Sequence, residues 1–284
     1  MTKKIVYFYD SKEAKVFLAL GQMVTLLQAC YFRGKELCYD KVVFEWHNLV
    51  AYPGWSKENT YKGLIKTPKN DFLPITFVQK GNRISKLCDR IDLSEPDSLY
   101  NGCPPIMTPN GYSMQPTHEF LNRYYENHHK RPILYINKEP DEKYILFHYR
   151  ESTQERQIKR NTSYDEFKKI FTIIKEKYGD KYKLKKIGEP CDLDKEFDEV
   201  YDYFPDDIES LFKVINDSFL FVGGATGPVT ITFLLGVKGI LLLKKELNPV
   251  YIGRNSPHEW VDESNYLCIF ESDESKIIEF IEKL

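Results

Sequence analysis

Apolar runs of strand length alternate with amphipathic, helix-like segments along the second half of the chain. The runs are short and rich in β-branched and aromatic residues, whereas the segments between them repeat apolar residues every three or four positions. Strands that alternate with helices form parallel sheets, because each crossover helix packs back onto a sheet face. The alternation therefore predicts an α/β fold with a Rossmann-like second domain. The predicted strands are YILFHYRES (144–152), KLKKIGE (183–189), SFLFVGG (218–224), KGILLLK (238–244) and YLCIF (266–270).

Helices are predicted between these strands. The first opens with a capping box, Ser163-x-x-Glu166, and ends at Gly179. The others are DDIESLFKVIND (206–217), PVTITFLLG (228–236) and the terminal ESKIIEFIEKL (274–284).

The first half begins with a β-α-β unit. KIVYFY (4–9) and KVVFEW (41–46) are predicted strands, and an apolar helical pattern over residues 16–32 separates them. Gly34 is the predicted end of that helix. Parallel strands joined in this way need helices on their faces, so the first half also starts as an α/β domain.

Prolines break the periodicity over residues 47–116, where ITFVQ (75–79) is a predicted short strand. Thr117 is the predicted cap of a helix over residues 118–129 that joins the two domains. We therefore expect two Rossmann-like domains that face each other across a cleft, residues 1–130 and residues 131–284.

Charge and cysteine content exclude several kinds of partner. The net charge is −2 over 284 residues, so no global field attracts nucleic acid or an anionic membrane, and an anion site must be local. The first apolar stretch is too short for a signal-peptide core or a membrane span, which predicts a cytoplasmic protein without a transmembrane segment. Six cysteines without a C-x-x-C pair favour neither zinc nor disulfides, and Cys30 is expected on the buried face of a helix.

The segment FVGGATGPVT (221–230) joins a predicted strand to a predicted helix. Its glycines would let backbone N–H groups approach a ligand, and the helix start, with proline at the first position, favours an anion. It lacks the lysine of a P-loop and does not match G-x-G-x-x-G. The segment predicts a phosphate cradle in which Thr226 and Thr230 hold a phosphate or ribose; the alternative is a tight turn without a ligand. The candidate residues are Gly223, Gly224, Ala225, Thr226, Gly227, Pro228 and Thr230.

A second group of candidates, HYRESTQERQIKRN (148–161), begins at the end of a predicted strand. Arginine forks match phosphate oxygens two at a time, so several arginines at the carboxyl edge of a sheet predict a local anion trap. A solvated loop with internally paired charges is the favoured interpretation for residues 154–159, whereas function is favoured for His148 and Arg150. The candidate residues are His148, Arg150, Glu151, Arg156, Arg160 and Asn161.

Together these motifs resemble those of glycosyltransferases with the two-Rossmann GT-B architecture, most closely a group associated with surface-polysaccharide synthesis. The resemblance rests on H-x-R-E (148–151), R-N (160–161) ahead of a helix, IGEP (187–190) and the glycine turn. More remotely, the H-x-R element resembles that of the fucosyltransferases, and the glycine turn resembles the donor-domain turn of the heptosyltransferases. The resemblance covers residues 144 to about 245, and the first half only in outline.

The resemblance implies a donor site in the second domain. In such families this domain holds a nucleotide diphospho-sugar, and the arginine of H-x-R meets the diphosphate. That implies a diphosphate contact for Arg150, with His148 beside it as a catalytic candidate, and backbone contacts for residues 224–227. Gly188 and Glu189, at the end of the next strand, would face the nucleoside.

The resemblance also implies that the first domain binds the acceptor and supplies a general base. Asp10 is the candidate base, because a carboxylate at the end of the first strand would face the cleft; the alternative is a plain loop residue or a helix cap. LALGQMV (18–24) resembles the heptosyltransferases, but Gln22 stands where they carry an acidic residue, and glutamine cannot act as a base. Gln22 and His47 are the acceptor-side candidates, His47 as another possible base.

Asp192 and Asp194 have the D-x-D spacing with which another glycosyltransferase architecture holds a divalent metal, but this spacing arises easily in an acidic, solvated loop. The hypothesis is therefore a metal-independent, inverting hexosyl- or deoxyhexosyltransferase without a cofactor. It would move a sugar from a nucleotide diphospho-sugar to a glycan or lipid-linked glycan. Two alternatives stay open: a nucleotide-sugar epimerase of the same architecture, and a non-catalytic nucleotide- or carbohydrate-binding protein.

Overall fold

The structure is a computed structural model, and it describes the framework of the first half and most of the second half. The described residues are 3–10, 20–47, 75–79, 89–93, 107–108, 111–112, 114–134, 142–151, 162–201, 208–243, 252, 256 and 258–284.

A four-stranded parallel sheet lies in the first half, formed by β1 (Lys4–Asp10), β2 (Lys41–His47), β3 (Thr76–Gln79) and β4 (Asp89–Asp92). Their order in the sheet is β3-β2-β1-β4. The crossover between β1 and β2 contains α1 (Leu20–Glu36), as the parallel pairing of these strands requires. A small antiparallel pair follows, β5 (Met107–Thr108) and β6 (Gly111–Tyr112).

A six-stranded parallel sheet lies in the second half, formed by β7 (Tyr144–Tyr149), β8 (Lys183–Gly188), β9 (Glu199–Val200), β10 (Ser218–Gly224), β11 (Gly239–Leu242) and β12 (Tyr266–Ile269). Their order is β12-β11-β10-β7-β8-β9. The remaining helices are α2 (Gln115–His128), α3 (Tyr164–Tyr178), α4 (Ile208–Asn216), α5 (Gly227–Leu235) and α6 (Glu274–Glu282). Parallel sheets flanked by helices confirm the predicted α/β fold. None of the described helices has the length and apolar character needed to cross a membrane.

The central strand β7 is buried along its whole length because both faces of its sheet are covered. Side chains alternate between the faces of a strand, so Ile145 and Phe147 pack on one side with α3, where Phe147 and Phe171 have ring centroids 5.6 Å apart. Leu146 faces the other side and belongs to the core that contains Val229 of α5. This arrangement explains why the strand reads as a continuous apolar run.

The two halves meet through α1 and α5, which pack against each other. The contact is close where both helices start. A Cβ on Gly227 would lie 3.1 Å from Leu20 Cβ, and a Cβ on Gly21 would lie 2.9 Å from Thr230 Oγ1. The predicted boundary at 130/131 lies just after α2; as a division into two domains it stays a prediction, because α1 and α5 share one core.

The segment after α2 is hydrogen-bonded to both halves. Gln28 of α1 donates through its side-chain amide to Pro132 O. Leu134 N donates to Leu234 O of α5 at 2.8 Å. The chain therefore passes from the first sheet to the second along the α1–α5 contact.

Two predicted helix ends are wrong. Gly34 does not end α1, which continues to Glu36; a Cβ at Gly34 would collide with Val42, so the glycine allows close approach to β2. Thr117 is not a cap but lies in the first turn of α2, which starts earlier because Pro116 is tolerated in a first turn.

The predicted capping box of α3 is also wrong, although its position is right. Ser163 is the N-cap residue and Gly179 the C-cap residue, but Ser163 makes no side-chain cap hydrogen bond. Glu166 instead accepts from Lys169 Nζ at 2.7 Å and from the backbone N–H of Ser272. These hydrogen bonds lower the pKa of Glu166 to about 2. Glu166 therefore ties the start of α3 to the segment that precedes α6.

Candidate functional site

The candidate residues of the second half gather at the carboxyl ends of three neighbouring strands, β8, β7 and β10. In the parallel register His148 of β7 lies beside Gly223 of β10, and Tyr149 lies beside Gly188 of β8. Ligands of open parallel sheets bind at this edge. The residues that follow the three strand ends are Arg150, Glu189 and Ala225.

His148 occupies a space that glycines on both neighbouring strands leave open. A Cβ on Gly223 would lie 3.0 Å from His148 Cβ, and a Cβ on Gly188 would lie 3.2 Å from His148 Cδ2. The imidazole stacks on Phe221 with ring centroids 6.2 Å apart, and the residue is 2% exposed. A side chain at either glycine would press on His148, so the H-x-R, IGEP and glycine-turn motifs form one packed unit.

The imidazole of His148 also contacts the glycine turn. Its Nδ1 lies 3.3 Å from Thr226 Oγ1. Burial lowers the pKa of His148 to about 3, and the positive charges of Arg150 and Lys186 contribute to the lowering. The ring is therefore neutral near pH 7, with one nitrogen a donor and the other an acceptor.

Arg150 follows β7 directly and is buried. Its charge acts on Glu189: burial raises the pKa of Glu189, and the positive charges of Arg150 and Lys186 oppose that rise. Glu151 is exposed and accepts from the hydroxyl of Tyr149 at 3.1 Å. Burial and this carboxylate both raise the pKa of Tyr149, so the phenol stays protonated. The site thus combines the buried cation Arg150 with carboxylates on two neighbouring strand ends.

The backbone conformation at position 188 requires a glycine. Its φ is +106°, and a Cβ there would lie closer than 3.0 Å to Tyr149 O. The turn then brings Glu189 N to within 3.0 Å of Tyr149 O, to which it donates. The glycine of IGEP therefore lets the chain fold across the end of β7.

The glycines of FVGGATGPVT allow neighbouring atoms to approach the backbone closely, and none of them has an unusual backbone conformation. Gly223 and Gly224 end β10, and neither they nor Gly227 has a positive φ. Thr226 is the N-cap residue of α5, but its side chain makes no cap hydrogen bond, and Pro228 lies in the first turn. The first N–H groups of a helix have no intrahelical acceptor. The start of α5 therefore presents N–H groups that the Thr226 side chain does not cap.

The first half reaches this turn through α1, where Gly21 packs against Thr230. Gln22 follows on the same helix and is half-buried. Asp10 and His47 are the last residues of β1 and β2 and lie side by side in register, which places both at the carboxyl edge of the first sheet. Three other candidates, Arg156, Arg160 and Asn161, lie outside the described residues.

Sequence reasoning missed Lys186, which is fully buried on β8. Its Nζ lies 2.9 Å from Asp194 Oδ1, and Cys191 Sγ lies 3.3 Å from the same oxygen. Burial tends to raise the pKa of Asp194, but these two groups hold it below its usual value. One carboxylate of the D-x-D spacing is therefore engaged in an ion pair. The feature of the sequence that could have revealed it is a lysine in the middle of a predicted strand.

A metal site is not evident in the part of the chain that the structure describes. Within it, no group of three or more His, Cys, Asp or Glu side chains is arranged to hold a metal ion. Independence from metal stays a prediction, because the loops that follow several strands are outside the description.

The architecture is that of the GT-B glycosyltransferases, which combine two Rossmann-like units. Among solved structures, the glycosyl transferase family 9 protein from Veillonella parvula has a TM-score of 0.55 and 12% identity, covering 99% of this chain and 96% of that chain. The E. coli ADP-heptose lps heptosyltransferase II has a TM-score of 0.52 and 8% identity over 99% and 98%. E. coli heptosyltransferase WaaC with ADP has a TM-score of 0.51 and 11% identity over 99% of both chains.

At these identities the likeness establishes the fold and confirms the predicted architecture. No protein-family model matches the sequence, and no curated protein matches it.

Proposed function

We propose that this protein is a metal-independent glycosyltransferase of the cytoplasm. It moves a hexosyl or deoxyhexosyl group from a nucleotide diphospho-sugar to a glycan or lipid-linked glycan, with inversion at the anomeric carbon. The observation that carries the proposal is the position of Arg150, a buried cation, one strand away from the start of α5, which the Thr226 side chain does not cap. The GT-B fold supports the same class of activity.

Both features suit a diphosphate. An arginine binds phosphate oxygens with a fork of N–H donors, and a helix start offers backbone N–H groups and a favourable dipole. As the donor bond breaks, negative charge grows on the departing nucleoside diphosphate, and preorganised donors stabilise that charge most in a water-poor site. In the proposal Arg150 and the N–H groups of Gly227 and Val229 do this work. Gly188 and Glu189, on the other side of β7, face the nucleoside.

The acceptor is proposed to approach from the first half. In-line attack by an acceptor hydroxyl on the anomeric carbon expels the diphosphate and inverts the carbon, and a general base takes the hydroxyl proton. Asp10 is the proposed base and His47 its neighbour at the same sheet edge. The contact of Gly21 with Thr230 holds the first half against the donor turn.

The similar structures suggest which nucleotide to test first. One of them was solved with ADP, and another is an ADP-heptose heptosyltransferase. ADP therefore leads the test, followed by UDP, GDP, dTDP and CMP.

The decisive experiment is a thermal-shift and calorimetric screen of these nucleotides, with magnesium and with EDTA. A ligand at about 100 times its dissociation constant adds about 2.7 kcal/mol of stability. One nucleoside diphosphate should stabilise the wild type equally in both buffers. Arg150→Ala should weaken its binding by about tenfold or more, since hydrogen bonds to charged groups contribute about 1.5–3 kcal/mol. Arg123→Ala, which removes an exposed arginine of α2, is the matched control and should bind normally.

Turnover then separates the proposal from its alternatives. The wild type should release nucleoside diphosphate only when a sugar donor and a glycan acceptor are both present, and Asp10→Asn should abolish release while donor affinity is kept. Conversion of the donor sugar without an acceptor would identify an epimerase. Tight nucleotide binding without any turnover across a broad acceptor panel would identify a binding protein.

A further inference from the structure

Thr226 stands where a threonine normally caps a helix, yet its hydroxyl bonds elsewhere. Its backbone is extended (φ −136°, ψ 177°), as a capping residue requires. A capping hydroxyl would accept from the N–H of Val229, because Pro228 has none. That hydrogen bond is not formed. Instead Thr226 Oγ1 lies 3.3 Å from His148 Nδ1 and 3.3 Å from Gly224 O.

The imidazole of His148 holds the hydroxyl in this orientation. The ring cannot move freely, because it stacks on Phe221 and fits closely against glycines of both neighbouring strands. Thr226 has a single hydroxyl proton, which it donates to Gly224 O. Both contacts are satisfied together when Thr226 Oγ1 accepts from a protonated Nδ1 of a neutral ring. The imidazole and the carbonyl thus share the hydroxyl between them.

We propose that His148 is a positioning residue of the donor site: it keeps the Thr226 hydroxyl away from the start of α5. The N–H groups of Gly227 and Val229 then stay available to an anionic ligand. The nature of that ligand, a nucleoside diphosphate, rests on the proposed function. Without His148 the hydroxyl would turn and cap α5, and the cap would compete with phosphate for the N–H of Val229.

The test measures ADP affinity by calorimetry in a double-mutant cycle. His148→Phe keeps an aromatic ring against Phe221 and removes Nδ1, whereas Thr226→Val removes the competing hydroxyl and keeps the side-chain shape. His148→Phe should weaken ADP binding about fivefold, which equals about 1 kcal/mol, the size of one cap hydrogen bond. Thr226→Val supplies the reference affinity of a turn that has no hydroxyl at this position. The double variant should return to the affinity of Thr226→Val.

The recovery in the double variant is the outcome that a merely structural role of His148 would not produce. His148→Asn offers a second check, since its amide nitrogen can replace Nδ1 and should restore most of the affinity. Wild-type affinity in His148→Phe would overturn the inference. So would a double variant that binds as weakly as His148→Phe, because the loss would then not pass through the Thr226 hydroxyl.

A nucleotide-free crystal structure of His148→Phe distinguishes this inference from the proposed function. The Thr226 Oγ1 to Val229 N distance should shorten to about 3 Å, a normal hydrogen bond. If the hydroxyl moves in this way but the wild type binds no nucleoside diphosphate, the proposed function fails and the role of His148 stands. An unmoved hydroxyl overturns the inference even if ADP binds tightly.

Two matched substitutions control for packing damage. Thr232→Val removes a buried hydroxyl of the same helix that donates to a backbone carbonyl at 2.7 Å. His258→Phe replaces a histidine that packs against Phe233, with ring centroids 5.2 Å apart. Both should leave ADP affinity unchanged. A loss in either control equal to that in His148→Phe would count against a specific role for His148.

Discussion

Gly188→Ala should be strongly destabilising, because Gly188 combines an unusual backbone conformation with a close contact. A φ of +106° is a region that side chains rarely adopt, and holding a non-glycine residue there costs about 1–3 kcal/mol. The new Cβ would also lie closer than 3.0 Å to Tyr149 O, a backbone atom that cannot rotate away. Overpacking of this kind costs about 1–3 kcal/mol. The two costs together give roughly 2–6 kcal/mol.

Gly236→Asn is the matched control for this prediction. Gly236 also has a positive φ, 69°, but this value lies in the left-handed helical region that asparagine tolerates. The atom facing its Cβ, at 3.1 Å, belongs to the side chain of Ile133, which can shift. The cost should therefore be about 1 kcal/mol or less.

Thermal unfolding followed by circular dichroism measures the difference. At about 2–4 °C per kcal/mol, Gly188→Ala should lower the melting temperature by about 10 °C and Gly236→Asn by no more than about 4 °C. Equal melting of the two variants would refute the argument, because it would mean that neither the conformation of Gly188 nor its approach to Tyr149 O matters.

Asp194→Ala should lower the free energy of unfolding by about 3–5 kcal/mol, because it leaves the buried Lys186 without its counter-charge. Adding Lys186→Met to this variant should recover most of the loss, as measured by urea unfolding. Burial lowers the pKa of His118 to about 4 and of His258 to about 3. Below pH 6.5 the folded protein then binds fewer protons than the unfolded chain. The free energy of unfolding should therefore be flat above pH 6.5 and fall toward pH 4, by up to about 1.4 kcal/mol per pH unit for each histidine. The fall should be shallower in His118→Phe. Gly21→Val should cost about 1–3 kcal/mol by overpacking the α1–α5 contact, and an unchanged melting temperature would show that the helices have room to separate.

Local sequence pattern was sufficient for five of the six strands described in the second half; it missed β9 and was insufficient where a tertiary contact sets an element's end. The predicted strand SFLFVGG coincides with β10, because a continuous apolar run between turn residues leaves little choice. Gly34 has the residue type of a helix stop, but its packing against Val42 decides its role. Ser163 has the right position for a capping box, but Glu166 finds better partners elsewhere. Both roles depend on contacts outside the local pattern, that of Gly34 with Val42 and that of Glu166 with Ser272.

The composition of the candidate site could be predicted from motifs, but its arrangement could not. His148, Gly188 and Gly223 belong to three strands that helices separate along the chain. Only the strand order β8-β7-β10 puts a glycine on each side of the histidine, and strand order is a global property. The ion pair of Lys186 and Asp194 was missed for the same reason, since the D-x-D spacing does not show that Asp194 lies next to a lysine of β8.

The α1–α5 contact bears on how the two halves would act together in the proposed enzyme. At the contact of the two helices, Gly21 and Gly227 have no side chains to keep them apart. The connecting segment is hydrogen-bonded to α1 at Gln28 and to α5 at Leu234. A rotation of one half against the other would break these buried hydrogen bonds and divide a shared core. The start of α5, where the diphosphate is proposed to bind, is thus held in place partly by the half proposed to carry the acceptor. Gly21→Val should therefore weaken nucleotide binding as well as stability, although Gly21 contacts no nucleotide in the proposed site.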